Sequence, residues 1–535
     1  GGFNVNFGHK NTDFGNYDIP GGAIIHAEEE HDHEEEEHEE NLGYVNNSDF
    51  AVESTKFGMS KVGDWGYLGF SVDTLESVYG IPFHGEEHDE DEEEEHGEER
   101  IFSTTDSESF TIKGSYSVNG NLVNKVDFTY RDSDYTLTEA HEEEEGHDDE
   151  EEHAPTVFSN QATELGAIFD ISNDSMNQKI VINLVDEDNS IVGEEAFMNP
   201  AKNEEFTLGY YMSKDLGLFN VDLGARLDQI DRSGSVTDED HGDIDYYTMD
   251  DSTNSFAVSL GRDLSDNLDI NLGYASVERL PSVIELFMNG PHLATGRLET
   301  GNPNLNSETS NNFDITFNYE NDGFFAYASF FINDVDNYIF LLDEEEEDHD
   351  DHEDEHHEDE DEDEHHEDED GHDDHDDHGH GNLIHANYVQ EDAEFDGYEI
   401  EFGKSVDVGS GELTLSYGRD VVNAKFSDGH NVPRINPSRN VYSLSYSEDD
   451  LVFKLSLKDV DAQNDFGEGE TKTQGYQMLD TRITKTYRMG GNNELKVSLF
   501  GRNLLDEAAR NHSSFVKDQV PLPGKNLGVK FNLTF

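Results

Sequence analysis

Most of this 535-residue chain alternates apolar and polar side chains with a two-residue period, and four stretches made almost wholly of Glu, Asp and His interrupt it. In 219–228, Phe219, Val221, Leu223, Ala225 and Leu227 alternate with Asn220, Asp222, Gly224, Arg226 and Asp228. Leu268, Ile270, Leu272 and Tyr274 repeat the pattern, as do Leu495, Val497 and Leu499, and the chain closes on Leu527, Val529, Phe531, Leu533 and Phe535. Period two puts successive side chains on opposite faces of a strand, so each strand is half apolar and half polar. Such strands build either a soluble sandwich with its polar face outward or a transmembrane barrel whose polar face lines a wet lumen.

Connection lengths separate the two. Tight turns are predicted at Gly63–Asp64, Asn119–Gly120, Lys214–Leu216, Ser265–Asp266, Asn321–Asp322, Gly409–Ser410, Glu448–Asp449 and Gly490–Gly491. Between them fall the four acidic stretches and the loops around Glu194, Asp238, His292, His430, Asp465 and Asp518. One short rim and one long rim is the loop pattern of outer-membrane barrels, and a sandwich has no reason to sort its loops this way. The expected fold is therefore all-β, a transmembrane antiparallel β-barrel of about 20 strands, a number within the range of bacterial barrels. No apolar run reaches the roughly 18 residues of a spanning helix, which does not count against a barrel because alternation hides the apolar half from a hydropathy average.

A net charge of −93 excludes a nucleic-acid binder, which needs clustered Lys and Arg, and makes cations the natural partner. The acidic stretches are 27–40, 84–99, 139–153 and 343–380. At the bilayer midplane a charged side chain costs up to about 2–4 kcal/mol, somewhat less for Asp and Glu, so these stretches must sit in water. Among their histidines are His31, His33 and His38; His88 and His96; His147; and His352, His356, His357, His365, His366, His372, His375, His378 and His380. Carboxylates alone suit hard cations, whereas imidazoles among carboxylates suit borderline ions such as Zn²⁺, with Ni²⁺, Cu²⁺ and Co²⁺ as alternatives. Solvation or repulsion of neighbouring polymers would need no imidazole. With no cysteine, disulfides and thiolate zinc sites are excluded. No nucleophile–base pair, HExxH, phosphate-binding Gly loop or EF-hand pattern occurs, so catalysis is not expected.

Several of the predicted loops resemble those of TonB-dependent outer-membrane receptors. The segment ERLPSVIELFMNGPHLATGRLETGNPNLN (278–306) carries the resemblance most strongly, with GEEAFMNP (193–200), VPRINPSRN (432–440), FGRNLLDEAARNHSSFV (500–516) and the closing PLPGKNLGVKFNLTF (521–535). The PHLATG and GEEAF elements, with the acidic His-rich loops, are most similar to the zinc-uptake branch. That resemblance implies a 22-stranded barrel in the bacterial outer membrane, acidic loops outside the cell, and an amino-terminal plug that contacts the TonB energy-transducing complex. Nothing here matches a plug. The start, GGFNVNFGHKN, lacks a signal peptide and already alternates, so residue 1 is expected to be a cut near the third strand, which would leave an edge-exposed sheet. The family places zinc ligands partly on the plug and partly on barrel loops, and here His292, Glu285, Glu194 and Glu195 are the ordered-loop candidates. Glu285 could instead brace a helical turn, and His292 could bond within its loop. A haem or ferric-siderophore receptor and a non-transporting cation-binding surface protein are the rival readings.

Overall fold

The computed structural model describes residues 2–25, 43–82, 100–118, 120, 122–141, 154–193, 196–237, 242–344, 383–491 and 493–535. The first half of the sheet is β1 (Phe3–Phe14), β2 (Phe50–Gly63), β3 (Gly66–Gly80), β4 (Ile101–Ser117), β5 (Lys125–His141), β6 (Thr156–Asp170), β7 (Asn177–Val192), β8 (Ala201–Asp215), β9 (Asn220–Thr237), β10 (Ile244–Ser265) and β11 (Leu268–Arg279). A structured loop follows, holding α1 (Val283–Phe287), β12 (Asn289–His292), a 3-10 turn (Leu293–Thr295) and β13 (Arg297–Thr300). The second half is β14 (Glu308–Asn321), β15 (Phe324–Asp343), β16 (Ile384–Val408), β17 (Gly411–Phe426), β18 (Arg439–Glu448), β19 (Leu451–Val460), β20 (Tyr476–Gly490), β21 (Asn493–Arg502) and β22 (Asn526–Thr534).

With the loop strands β12 and β13 set aside, twenty of the 22 strands form one antiparallel meander, each paired with its neighbours along the chain. Among the described residues β1 pairs only with β2 and β22 only with β21, so the meander has two edges. At the loop end, the connection after β1 is bonded to the one before β22. The Tyr17 hydroxyl donates to Pro521 O at 2.9 Å, Ile25 N to Asp518 O at 2.9 Å and Gly524 N to Asp18 O at 2.8 Å.

The faces are inverted relative to a water-soluble protein. On β9, Asp228 is 4% exposed while Leu223 and Leu227, on the opposite face, are 38% and 41% exposed. Asp228 sits in a polar inner network, accepting from the Thr207 hydroxyl at 2.6 Å and from Arg226 Nε at 2.7 Å. Exposed Phe256, Phe330, Ile332, Leu415 and Leu499 continue the apolar outer face around the sheet. Apolar outside and polar inside is what lipid selects.

Strand parity fixes which loops share a rim. The connections after β2, β4, β6, β8, β10, β14, β16, β18 and β20 are short, the longest being 118–124. At Asp322–Gly323 both residues have positive φ, 48° and 74°, the geometry of a two-residue hairpin turn whose twist matches the strands. The opposite rim carries every other connection, including those that contain the four acidic stretches. Two of those stretches begin later than the sequence suggested. Residues 139–141 finish β5, and Asp343 finishes β15 at 5% exposure, because each finds a partner on the neighbouring strand.

Candidate functional site

The loop 280–307, on the long rim, carries α1, the 3-10 turn and the short strands β12 and β13. Ser282 caps α1: its hydroxyl accepts from Glu285 N at 3.2 Å, and Glu285 Oε2 accepts from Ser282 N at 2.6 Å. This reciprocal box starts a helix of one turn that would not persist alone. Packing holds it instead: Leu286 and Phe287 are 1% exposed and join Ile191, Met198, Ala201, Leu305 and Ile339 in a small core. Burying those two side chains contributes about 1.5–3 kcal/mol each. Phe287 lies flat on Gly234 of β9, where a Cβ would come within 2.5 Å of its ring.

The structure brings two of the sequence motifs together. The loop 193–200 bridges to 280–307 through the Met198–Met288 pair, and Asn289 N donates to Phe197 O at 2.7 Å. The Phe197 ring lies 5.1 Å from the His292 ring, with the planes 30° apart. His292 ends β12 with its side chain 35% exposed. Its Nδ1 is 2.8 Å from Oε1 of Glu299, whose side chain is 4% exposed and which sits on β13, folded back against β12. The Thr295 hydroxyl shares its hydrogen between His292 O at 2.9 Å and the same Glu299 oxygen at 3.1 Å.

Glu285 is placed differently. Both of its oxygens face the Arg279 guanidinium, at 2.9 and 3.1 Å, and Arg279 also pairs with Glu308 at 3.0 Å. With Ser282 N bound as well, Glu285 braces the helical turn. Glu194, Glu195 and every tract histidine named above lie outside the described residues. Among the described residues no group of three or more His, Asp or Glu is placed to hold a metal ion.

A second cluster beside this loop escaped the sequence reading. Arg297 binds Asp343 through two hydrogen bonds, Nε to Oδ1 at 2.8 Å and Nη2 to Oδ2 at 2.6 Å, with both side chains 5% exposed. The Phe515 ring is flanked by Arg297 at 4.1 Å and Arg434 at 3.3 Å. Arg434 reaches toward Asp343 and Glu470, 3.9 Å from each. Beside Glu470 lies buried His512, whose Nδ1 meets the Thr473 hydroxyl at 2.8 Å and whose Nε2 stands 3.7 Å from Glu470 Oε1. Burial opposes ionisation of Glu470, but the His512 imidazole and the Gly467 and Arg434 N–H groups outweigh it and lower its pKa. Burial and the neighbouring Arg297 guanidinium lower the pKa of Arg434. Arg297, Arg434, Phe515 and His512 all fall within motifs quoted above, yet nothing local in the sequence links them.

The cluster ties 280–307 to the end of β15 through Asp343. β13 also pairs in parallel with the start of β16, Arg297 opposite Ile384 and Thr300 opposite Asn387. Ile384 N donates to Gly296 O at 3.1 Å and Glu344 N to His385 O at 2.8 Å.

Solved structures share this architecture. The copper transporter OprC superposes with a TM-score of 0.71 at 15% identity, covering 99% of this chain and 76% of that one. The FrpB iron transporter from Neisseria meningitidis (F5-1 variant) gives 0.68 at 13%, over 100% and 78%. A double mutant of the Serratia marcescens hemophore receptor HasR, in complex with its hemophore HasA and heme, gives 0.63 at 12%, over 99% and 76%. At such identities the likeness is one of fold. The family model for the TonB dependent receptor-like β-barrel matches residues 39–504, most of the chain. The chain thus belongs to the TonB-dependent receptors, transport receptors of the bacterial outer membrane, and forms their β-barrel.

Proposed function

We propose that this barrel serves a receptor that captures a divalent transition metal, Zn²⁺ foremost, on its acidic His-rich loops and delivers it to a site built around His292. The observation that carries the reading is the docking of the 193–200 loop against His292. Phe197 touches the imidazole, and Glu194 and Glu195 are its near neighbours along the chain. One imidazole with one or two carboxylates and water is a common zinc shell. All four acidic stretches belong to connections on the His292 rim, which we assign to the cell exterior. Ions held there would be concentrated over that site. Energy would come through the TonB complex on which the family depends.

Copper is the alternative cargo that the OprC likeness favours, and the same donors suit it. Anionic ferric chelates fit a polyanionic rim poorly. Transport of ⁶⁵Zn²⁺ by the full-length receptor tests the reading. The substitution His292→Ala should abolish most uptake while bulk Zn²⁺ binding by the loops stays nearly unchanged. Undiminished uptake removes His292 from the pathway. Bulk binding should itself weaken between about pH 7.5 and about pH 5.5, as imidazoles protonate before most carboxylates; pH-independent binding would point to carboxylate-only, calcium-like sites.

A further inference from the structure

We propose that Glu299 is the positioning residue of His292: it fixes the ring tautomer and leaves Nε2 as the nitrogen that meets the metal. The proposal rests on the reading of His292 as a ligand and goes beyond it by assigning the donor atom and the group that prepares it. A carboxylate only accepts hydrogen bonds, so the 2.8 Å contact between Nδ1 and Glu299 Oε1 requires the hydrogen on Nδ1. A neutral imidazole then carries its lone pair on Nε2. Hydrogen bonding from the far nitrogen to a carboxylate also makes the ligating nitrogen more basic and stops the ring from turning.

Three further contacts make the arrangement a built one. Phe197 covers the imidazole, with the ring centres 5.1 Å apart, and so restricts rotation about the side chain. The Thr295 hydroxyl holds the Glu299 oxygen from the other side at 3.1 Å while also bonding the His292 carbonyl. Glu299 itself is locked by the backbone: Gly290 lies opposite it on β12 and Ala386 opposite it on β16. It is 3% exposed overall, whereas His292 keeps about a third of its side chain open. The buried carboxylate therefore engages Nδ1 of a ring that is itself only partly buried.

The test uses the full chain labelled with ¹⁵N-histidine, in detergent, and the His292→Gln protein to identify the His292 resonances. In the unsubstituted protein, His292 should show the Nδ1–H form without metal, and its Nε2 resonance should shift when Zn²⁺ alone is added. Site resolution matters because the acidic loops bind Zn²⁺ as well. In Glu299→Ala the tautomer preference should be lost, and the Zn²⁺ concentration that half-saturates the His292 shift should rise about 10- to 100-fold. Glu299→Gln keeps an acceptor oxygen and should recover the Nδ1–H form and much of the affinity, which a loop simply damaged at 299 would not do. An Nε2–H tautomer in the unsubstituted protein, or unchanged half-saturation in Glu299→Ala, overturns the positioning role while leaving His292 a ligand. Absence of any His292 shift with Zn²⁺ overturns the ligand reading, and the positioning role with it.

Discussion

Replacing Arg297 by Met should loosen the ordered loop at the root of the longest acidic stretch. The Arg297 and Asp343 side chains are both 5% exposed and are joined by two hydrogen bonds, at 2.8 and 2.6 Å. Removing one partner of such a pair strands the other, at a cost of about 3–5 kcal/mol. Arg434 stays 3.9 Å from Asp343 and compensates part of its charge, so the expected loss lies near 3 kcal/mol. At about 1.4 kcal/mol per tenfold, that raises the local opening equilibrium roughly 100-fold or somewhat more. The loss should appear where β13 meets β16, at the Ile384 N–H bonded to Gly296 O and the Glu344 N–H bonded to His385 O. Hydrogen exchange of the detergent-solubilised protein reads this directly, with amides in the middle of β15 as the unaffected reference. The double variant Arg297→Met/Asp343→Leu fills the space without charge and should restore protection to within about 1 kcal/mol, since an apolar replacement of a buried pair is often neutral. Unchanged protection in the single variant, or a double variant as open as the single, would refute the assignment of this pair as the clamp between the two loops.

Two other outcomes are expected. Because the folded pKa of Glu470 lies below its ordinary value of 4.5, it contributes stability that is present above that value and is lost as pH falls through the folded pKa. A spin label at Glu468→Cys, unique because the chain has no cysteine, should therefore stay constrained from pH 7 to about pH 5 and gain mobility under stronger acid, a dependence that Glu470→Gln should abolish. Glu285→Gln should weaken the brace to Arg279 by about 1.5–3 kcal/mol, seen as faster exchange in α1, yet leave the Zn²⁺ response of His292 unchanged; a large loss of zinc affinity there would return Glu285 to the ligand set.

Much of the architecture was legible because it follows from local chemistry. Alternation at Leu223, Ala225 and Leu227 marks the outward face of β9 without reference to any other strand, since period two is a property of the extended backbone. The turn expected at Asn321–Asp322 falls one residue later, at Asp322–Gly323, where both residues take the positive φ that a tight hairpin needs. In a meander, strand parity then sorts every connection to one rim or the other. The sequence reading of about 20 strands corresponds to the twenty long strands of the sheet, with two short ones in the loop 280–307.

The site was legible only as a set of motifs. His292 and the GEEAF segment stand nearly a hundred residues apart along the chain, and only the folded rim places Phe197 on the imidazole. Glu285 has the residue type of a ligand, and its engagement by Ser282 N and Arg279 depends on a helical turn that packing against β8 and β9 sustains. Asp343 read as the first residue of an acidic run because composition carries no information about a partner 46 positions away. Composition, alternation and turn chemistry thus determined a lipid-facing wall of antiparallel strands whose acidic stretches fall in connections of one parity. Tertiary structure decided which carboxylates are committed to arginines and which histidine meets a buried carboxylate and an aromatic ring, because those commitments depend on how separate segments fold together.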